Sequence, residues 1–418
     1  MDRGSPAARR ARQPGRKRPV SDAAAPLRLL HLNSLLTGGG TDDQCANLAL
    51  GLLRLGHRVA VAGPDGRQFS SIIRGLGVPF HATPPEGPLK LRFIFRAAKM
   101  IRRERIQIIH GHHGRDIWPT ILAARLSGAR PIVVLTRHLA KSPRSWFSRR
   151  FLLSQCDALI AVSHFVAKVL REGVYEPNST EPERRRRPPL MGDRAKIRVI
   201  PGGIDTERFR PLVGPEIEAQ RSEWGFSPEH YAFAVVGGYP LPRGKGQREF
   251  LQAAARVHVQ IPQARFLIIG RGNMADILEA DIERLGLAGK AWLTPYGIDM
   301  PRVMNAIDCL VHPQIGTEAL GWVVCEAFAC GKPVIASALD GIPEAFGVGG
   351  FGELVPPENV PALADAMRKR ARMLLPSEAE RMRLHRRVAD QVSLETHARR
   401  MEWLYRQVLE GKPKAAPG

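Results

Sequence analysis

Two glutamates eight residues apart, Glu318 and Glu326, lie in the segment GTEALGWVVCEAFACGKPVIAS (316–337). The apolar, alanine-rich residues between and after them predict a helix that begins near Leu320 and is followed by a short strand. At about 1.5 Å of rise per residue, the two carboxylates would lie roughly 12 Å apart. This is about the distance from the sugar to the ribose of an extended nucleotide-sugar, and carboxylates accept hydrogen bonds from hydroxyl groups. The spacing therefore suits a ligand with a sugar at one end and a ribose at the other.

The residues between the glutamates predict a contact with phosphate. Ala319, Leu320 and Gly321 precede or begin the predicted helix, and a glycine lets the backbone approach a ligand closely. The unpaired N–H groups and the partial positive charge of a helix start favour an anion in front of it. One segment would then contact a sugar, a diphosphate and a ribose. The alternative interpretation of the glutamate pair alone is an ordinary buried helix.

A glycine-rich turn in the first half of the chain joins a predicted strand to a helix start, and its glycines are Gly38, Gly39 and Gly40. Backbone N–H groups in such a turn can face a phosphate or a sugar. Many loops carry glycines for other reasons, so this pattern alone is weak. The adjacent Asp42 and Asp43 are typical of helix initiation and are not predicted to be catalytic.

Histidines lie at the ends of two predicted strands. His110, His112 and His113 end one strand, and His138 ends the next. A His-x-His-His cluster can bind a metal, but no cysteine or carboxylate ligand stands at matching spacing. We therefore predict no metal site, and the five scattered cysteines show no metal-ligand spacing either.

The order of these motifs is similar to that in the retaining glycosyltransferases of family 4, the group 1 transferases of GT-B fold. The segment 316–337 resembles the Glu-x7-Glu motif of that family, with its following Gly-Lys-Pro-Val turn. VIPGGIDTERFRP (199–211) resembles the family's crossing between its two domains. The resemblance extends from about Leu27 to about Leu409. It implies two Rossmann-like, doubly wound α/β domains that face each other across a cleft.

The resemblance also implies a cationic contact with the donor diphosphate. VVGGYPLPRGKGQREFL (235–251) resembles the family's Gly-Arg-Leu…Lys-Gly segment, and Lys245 matches its lysine. A lysine beside the leaving diphosphate would offset the charge that develops as the glycosidic bond breaks. The sequence departs from the pattern at Gly238, where an arginine is common, and Arg243 is the candidate to supply that charge. A surface lysine without function is the alternative interpretation of Lys245.

The resemblance implies three catalytic residues, His138, Glu318 and Lys245. His138 would hydrogen bond to a sugar hydroxyl and shape the reacting face, although a histidine that merely ends a strand is the alternative. The residues implied to bind substrate are Gly39, Gly40, Arg243, Lys245, Glu318, Ala319, Leu320, Gly321 and Glu326. The family's usual mechanism is a front-face substitution in which the leaving diphosphate helps to deprotonate the acceptor hydroxyl.

Alternating strand and helix patterns must position these residues, and they favour parallel sheets in two domains. A chain of 418 residues is also too long for one typical core. The predicted parts are a disordered basic tail (1–25), an N-terminal acceptor-side domain (26–198) with an insertion loop (about 176–195), a C-terminal nucleotide-sugar-binding domain (199–392) and a C-terminal helix (393–412) that returns to the first domain.

The chain carries 62 Lys and Arg against 40 Asp and Glu, a net charge of +22. Part of this excess lies in the tail, and part in Arg184–Arg187, which we interpret as a solvated stretch of the insertion loop. No zinc-ligand, helix-turn-helix or RNP-like pattern accompanies these runs, so no nucleic acid partner is expected.

The predicted helix within 88–107 has two stripes that suggest an anionic membrane surface as a partner. Its apolar stripe is Leu91, Ile94, Phe95, Ala98 and Ile101. Its basic stripe is Arg92, Arg96, Lys99 and Arg103. Together with the aromatic and basic segment KSPRSWFSRR (141–150), this helix would form a membrane-facing patch. A solvated basic face over a buried stripe is the alternative interpretation.

The combined prediction is a retaining glycosyltransferase that uses a nucleoside-diphosphate-sugar, UDP- or GDP-linked, and no cofactor. The acceptor is predicted to be lipid-linked or a saccharide, in lipopolysaccharide or envelope polysaccharide biosynthesis. A phosphorylase or nucleotide-sugar epimerase of the same fold is the nearest alternative, and a basic nucleic-acid-binding protein is a distant one. Residues 1–25 lack a secretory apolar region, and no apolar run is long enough to cross a bilayer. We therefore expect a cytoplasmic protein, peripheral on the inner face of the membrane.

Overall fold

The computed structural model describes residues 25–34, 39–66, 68–83, 91–177, 179, 182–295 and 299–411. Gly38 and residues 1–24 of the predicted tail lie outside the described residues. Among the helices of the described ranges, none is both long and apolar enough to cross a bilayer.

The first half of the chain forms a seven-stranded parallel sheet flanked by helices. Its strands are β1 (Arg28–Leu32), β2 (Arg58–Pro64), β3 (Phe80–Thr83), β4 (Ile108–Gly111), β5 (Ile132–Arg137), β6 (Ala158–Ala161) and β9 (Ile197–Val199). Two further strands, β7 (Val174–Tyr175) and β8 (Arg186–Arg187), form a separate hairpin. The helices of this half are α1 (Gly40–Arg54), α2 (Gln68–Gly75), α3 (Leu91–Arg103), α4 (Ile117–Leu126), α5 (Trp146–Gln155), α6 (His164–Arg171) and α7 (Pro182–Arg185). The strand order is β3-β2-β1-β4-β5-β6-β9.

The second half forms a six-stranded parallel sheet. Its strands are β10 (Tyr231–Val236), β11 (Ala264–Gly270), β12 (Ala291–Pro295), β13 (Cys309–His312), β14 (Val334–Ser337) and β15 (Gly352–Val355). Its helices are α8 (Pro215–Glu223), α9 (Gln247–His258), α10 (Ala275–Arg284), α11 (Met300–Ala306), α12 (Trp322–Ala329), α13 (Ile342–Gly349), α14 (Val360–Ala371), α15 (Glu378–Val392) and α16 (Leu394–Leu409). The strand order is β12-β11-β10-β13-β14-β15.

Both sheets are buried on both faces, which explains why their strands are continuous apolar runs. On β1, Leu29 packs into one apolar cluster and its neighbour Leu30 into the cluster on the opposite face. On β10, Phe233 and Ala234 divide in the same way. The predicted pair of doubly wound domains is confirmed. In such sheets ligands bind where the strand order reverses, which here is between β1 and β4 and between β10 and β13.

The last helix, α16, packs against the first domain although it follows the second. Its residues Ala398, Met401 and Leu404 join the apolar cluster that contains α1. The two helices approach so closely that a Cβ added at Gly51 would lie 2.9 Å from the Cβ of Ala398. The Tyr405 hydroxyl also contacts the first sheet, 2.6 Å from Nδ1 of His110.

Two expectations for the first domain were wrong in detail. Arg187 is not solvated: it lies at the end of the hairpin, 2% exposed, with its guanidinium 3.1 Å from Asp340 and 3.1 Å from Glu176. On α3, Leu91 and Phe95 are 50% and 59% exposed and do not belong to the buried stripe. The residues that α3 buries are Phe93, Ile94, Ala97, Ala98, Met100 and Ile101.

Candidate active site

The helix predicted near Leu320 is α12, whose first residue is Trp322. Gly321 precedes it in the left-handed region, with φ of 93°, and its carbonyl accepts the first hydrogen bond, from the Val324 N–H at 3.0 Å. A Cβ at Gly321 would only make ordinary contact with its neighbours. Backbone conformation, rather than space, therefore favours glycine here. The N-terminus of α12 faces the end of β13, where the strand order of the second sheet reverses.

Glu318 and Lys245 form an ion pair in front of this helix. Nζ of Lys245 lies 3.1 Å from Oε2 of Glu318, and the Ala319 N–H donates to Oε1 at 3.0 Å. Burial acts to raise the pKa of the Glu318 carboxyl, but Lys245 and, to a smaller extent, His312 outweigh it and hold that pKa below its ordinary value. Glu318 is therefore ionised at neutral pH, and both of its oxygens are hydrogen-bond acceptors.

The loop that carries Lys245 is fixed by its neighbours. Gly246 has φ of 88°, and a Cβ there would lie 1.9 Å from the Pro313 carbonyl oxygen. Only glycine lets the loop approach the end of β13 this closely. The side chain of Gln247 accepts from the Lys245 N–H at 2.6 Å and donates to the carbonyls of Gly237 and Gly238 at 3.3 Å. Sequence reasoning missed Gln247, which follows the motif lysine by two residues.

Arg243, the second predicted cation, contacts two other carboxylates. Its guanidinium lies 2.9 Å from Glu358, which follows β15, and 3.4 Å from Glu249 on α9. These contacts join the loop that bears Lys245 to α9 and to the segment after β15. Its predicted contact with a diphosphate stays a prediction.

Glu326, the second glutamate of the pair, lies on α12 near the first domain. Burial, and then the charge of Asp43 on α1, raises the pKa of Glu326 to about 7, while Arg208 acts in the opposite direction. Burial and the adjacent Asp42 likewise raise the pKa of Asp43 to about 6, again against Arg208. Two carboxylates from different domains thus face each other at this end of the cleft.

The predicted glycine turn also reaches α12. Gly39 precedes α1, and a Cβ added at Gly40 would lie 3.8 Å from Cδ1 of Trp322. The starts of α1 and α12 therefore lie together, each from a different domain. The structure brings Gly39, Gly40, Ala319, Leu320 and Gly321 to one region, as a shared phosphate and sugar site requires.

His138 ends a row of stacked imidazoles. The ring centroids of His112 and His138 are 5.7 Å apart, and those of His110 and His112 are 4.2 Å apart. Burial, with smaller contributions from His397 and Arg137, lowers the pKa of His138 to about 3. Among the described residues, no group bonds to either ring nitrogen of His138, although both are shielded from solvent. A neutral imidazole with free nitrogens can bond to a sugar hydroxyl.

The other histidines of the row bond to one another or to hydroxyl groups. His31 Nδ1 lies 2.8 Å from Nε2 of His112, and Nε2 of His110 lies 2.7 Å from the Thr136 hydroxyl. His31, His110 and His112 are close enough together to share a metal ion. Sequence spacing did not indicate this group, because His31 lies on β1, His110 on β4 and His112 just after β4. One hydrogen bond joins His31 to His112, while His110 bonds outward to Tyr405 and Thr136.

Asp340 is a residue of the site that the sequence analysis missed. Its Oδ2 accepts from the Glu318 N–H at 3.2 Å and lies 3.1 Å from Arg187 of the hairpin. Asp340 therefore joins the Glu318 loop to the first domain. The Asp-Gly pair that it forms with Gly341 just after β14 is typical of a turn and would have located it.

The start of α6 makes another contact between the domains. The carboxylate of Glu344 on α13 accepts from the N–H groups of His164 and Phe165, both at 2.7 Å. The Ser163 hydroxyl donates to the Ala319 carbonyl at 2.6 Å. The loop between Glu318 and Gly321 is thus held from both domains.

Family models and curated relatives agree with this arrangement. The model "Glycosyltransferase Family 4" matches residues 38–180, and "Glycosyl transferases group 1" matches residues 231–372. The D-inositol 3-phosphate glycosyltransferase of Segniliparus rotundus is 34% identical over 160 residues, 37% of this chain and 34% of the relative. The 2-deoxystreptamine N-acetyl-D-glucosaminyltransferase of Streptomyces fradiae is 29% identical over 287 residues, 66% of this chain and 65% of the relative. The matches thus span about a third to two thirds of these relatives' lengths.

Solved structures show the same fold at low sequence identity. A glycosyltransferase from Rickettsia africae superimposes with a TM-score of 0.77 at 20% identity, covering 93% of this chain and 100% of that one. The Anabaena protein HepE, solved with UDP and glucose, gives a TM-score of 0.74 at 19% identity, covering 91% of this chain and 100% of that one. The fold is therefore GT-B. With one family model matching each domain, the chain belongs to the glycosyltransferases of family 4, group 1.

Proposed function

We propose that this glycosyltransferase moves a sugar from a nucleoside-diphosphate-sugar to an acceptor hydroxyl with retention of the anomeric configuration. The observation that carries the proposal is the pairing of Lys245 with Glu318 in front of the N-terminus of α12. An ammonium, a helix start and an ionised carboxylate lie together there. This set fits a diphosphate joined to a sugar.

The donor diphosphate would lie between Lys245 and the start of α12. When a phosphate oxygen takes the ammonium of Lys245 as its partner, Glu318 becomes free to accept a hydrogen bond from a sugar hydroxyl. Lys245 and the N–H groups at Gly321 then stabilise the charge that grows on the departing diphosphate. Glu326 would bond to the ribose and His138 to a hydroxyl on the reacting face of the sugar.

In the proposed step, the bond from the anomeric carbon to the diphosphate oxygen breaks as a bond to the acceptor oxygen forms on the same face. The proton of the acceptor hydroxyl passes to the departing diphosphate oxygen. The chain's residues orient both groups and stabilise charge, and none needs to become covalently attached to the sugar. Because cationic groups of the chain hold the diphosphate, we expect activity to survive EDTA. Loss of activity with chelator and recovery with manganese or magnesium would contradict this.

The setting of the reaction is proposed from the relatives and from the surface of the first domain. We infer a role in lipopolysaccharide or envelope polysaccharide assembly, with a lipid-linked or saccharide acceptor and a UDP- or GDP-linked donor. A galactosyltransferase of Escherichia coli that acts on a diphosphoundecaprenol-linked sugar is 27% identical over 256 residues, 58% of this chain and 60% of that one. This relative supports the proposal of a lipid-linked acceptor. The protein would work in the cytoplasm at the inner face of the membrane.

The test begins with a thermal-shift screen of UDP-, GDP- and ADP-sugars, because a ligand of the native state raises the melting temperature. The selected donor, labelled in its sugar, is then incubated with candidate acceptors, and the product linkage is determined by NMR. The proposal predicts a new α-linkage from an α-linked donor. Release of sugar phosphate in the presence of phosphate would indicate a phosphorylase instead. Conversion of the donor sugar without any acceptor would indicate an epimerase.

A further inference from the structure

The first domain has a basic pocket that the proposed donor site does not use. The pocket lies beside the loop between Glu318 and Gly321, which we call the catalytic loop. The pocket is a cavity of about 370 Å³ between the segment that joins β5 to α5 and the strand β8. Five cationic side chains line it: Lys141, Arg144, Arg149, Arg186 and Arg187. None of the described residues lining it is acidic. We refer to this cavity as the basic pocket.

The walls of the basic pocket are structured. Arg149 donates to the carbonyls of Pro143 at 3.2 Å and Arg144 at 2.8 Å, which holds the loop against the first turn of α5. The Ser142 hydroxyl, which also lines the pocket, is shielded from solvent and bonds to no described group. Arginine guanidinium groups, a free hydroxyl and the nearby start of a helix together match the oxygens of a phosphate.

The arginines of the pocket differ in accessibility, so those that can bind a ligand can be told apart from the one that has a structural role. Arg187 is buried, and its charge is balanced by Asp340 and Glu176. Arg144 and Arg186 are exposed, so both can contact a ligand that enters the pocket. Arg187 therefore forms the base of the pocket, while Arg144 and Arg186 form its accessible walls.

The basic pocket lies next to the catalytic loop. Arg187 contacts Asp340, and Asp340 accepts from the Glu318 N–H. Only one carboxylate thus separates a pocket wall from the glutamate that we assign to the donor sugar. Lys245 contacts the same glutamate from the second domain. Cationic side chains therefore approach the Glu318 loop from both domains.

Large apolar side chains lie exposed close to the basic pocket. Leu139, in the segment between β5 and α5, is 50% exposed, and Trp146 and Phe147, the first residues of α5, are 58% and 51% exposed. Exposed aromatic groups beside cations suit a ligand that joins an apolar part to an anionic one.

We propose that the basic pocket binds the phosphate or diphosphate group of a phosphorylated acceptor. Only the assignment of that anion to the acceptor rests on the proposed function. The anion-binding site itself rests on the geometry above. Bound there, the phosphate would hold the acceptor in the first domain, with its hydroxyl directed toward the donor sugar at Glu318.

The test measures binding without turnover, by isothermal titration calorimetry on the full chain carrying Lys245→Gln, which weakens the donor site. The probe is inorganic pyrophosphate. Arg144→Gln with Arg186→Gln should weaken pyrophosphate binding at least tenfold. The matched control is Arg383→Gln with Arg386→Gln, which removes the same charge from exposed positions of α15 in the second domain. The control should change binding less than twofold.

Equal weakening by the pocket and control variants, or unchanged binding in both, would overturn the proposal. Circular dichroism on both double variants checks that the fold is intact. No donor is present, so a failure here is distinct from a failure of sugar transfer.

A second probe, farnesyl diphosphate, identifies the source of the phosphate. Binding at least tenfold tighter than that of pyrophosphate, and lost in Trp146→Ala with Phe147→Ala, would support the pocket and assign it to a lipid-linked diphosphate. Equal binding of the two probes, still sensitive to Arg144 and Arg186, would support the pocket and assign it to a soluble phosphate ester.

Discussion

The two walls of the cleft hold their charged side chains differently. On the C-terminal wall, the cation Lys245 lies 3.1 Å from the carboxylate of Glu318, within loops fixed by Gly246 and Gln247. On the N-terminal wall, five cations line one pocket, and among its described lining residues no carboxylate balances them. Arg187 is balanced by Asp340 and Glu176, which lie outside the pocket lining. The C-terminal wall thus provides a matched cation and anion, whereas the N-terminal wall provides an excess of positive charge.

This difference indicates which kind of ligand group each wall is suited to bind. A matched pair can exchange partners, because a phosphate can take the lysine while a hydroxyl takes the glutamate. A set of cations with no carboxylate among its lining residues favours an anionic group. The first arrangement suits a reacting group whose charge changes during the reaction, and the second suits a group that keeps its charge and is held in place.

The strongest test of the N-terminal wall is Arg187→Met. Removing this buried cation leaves Asp340 and Glu176 without their partner, and breaking a buried ion pair costs roughly 3–5 kcal/mol. We therefore expect a lower free energy of unfolding by about that amount, measured with urea. Arg186→Gln, the exposed neighbour, is the control and should change stability by less than about 0.5 kcal/mol. Similar losses in both variants would show that burial does not distinguish the two arginines.

The strongest test of the C-terminal wall is Lys245→Gln. A cation that stabilises developing charge contributes roughly 10²–10³-fold to turnover. We expect kcat to fall by about that factor while the melting temperature stays within a few degrees, because Lys245 is partly exposed. Lys369→Gln, at an exposed lysine of α14, is the matched control and should leave kcat unchanged. A tenfold or smaller loss at Lys245 would mean that the diphosphate is held elsewhere.

Replacing each of the two glutamates of the C-terminal wall by glutamine should have a different kinetic effect. Glutamine has a similar volume, so both variants should fold. We expect Glu318→Gln chiefly to lower kcat, by about tenfold to a hundredfold, because we propose that its carboxylate bonds to the reacting sugar. Glu326→Gln should mainly weaken donor binding through lost ribose contacts, seen as a higher KM for the donor. Near-normal turnover and donor affinity in both variants would contradict the assignment of this pair.

The C-terminal wall was largely predictable from sequence because each of its elements comes from a short, contiguous segment. Glu318, Gly321 and Glu326 lie within nine residues, and Lys245 is contained in one glycine-rich loop. Hydrophobic patterns also predicted parallel sheets in two domains, since buried parallel strands are continuous apolar runs.

The N-terminal wall could not be predicted in the same way. The basic pocket combines a segment near Arg144 with the hairpin strand Arg186–Arg187, which are about 40 residues apart in sequence. In sequence, the arginine run of the hairpin looks like a solvated loop, and nothing local indicates that Arg187 turns inward to Asp340. The error on α3 has a similar origin: several helical stripes contained apolar residues, and tertiary packing decided that Phe95 is exposed and Phe93 buried.

The carboxylates that face each other at the far end of the cleft predict a pH dependence of stability. Burial is the main cause that raises the pKa of Glu326 to about 7 and that of Asp43 to about 6. The folded protein therefore binds more protons than the unfolded chain between about pH 4 and 7, and stability falls as pH rises through this window. Glu326→Gln should be more stable than the parent at pH 8 by roughly 1–2 kcal/mol, with the two converging near pH 4. Melting temperatures across this range check it, and a constant difference would contradict it.

The smallest effect is expected for the outer surface of the first domain, where the question is whether the excess of positive charge extends beyond the cleft. On α3, Leu91 and Phe95 are exposed beside Arg92, Arg96 and Lys99, which are exposed as well. Apolar and basic groups on one exposed helix face favour an anionic membrane surface, where each basic residue contributes about 1 kcal/mol.

Lys99→Gln should therefore weaken binding to phosphatidylglycerol-rich vesicles about fivefold at low salt, measured by sedimentation. Lys369→Gln on α14 removes the same charge from the second domain and should have little effect. Both variants retain residues 1–24, so any attraction of that basic segment to the vesicles cancels in the comparison. Binding should also fall steeply as salt is raised, because surface charges are screened. If the two lysine variants sediment alike, the excess charge of the first domain would serve the cleft alone, and a soluble acceptor would be the better hypothesis.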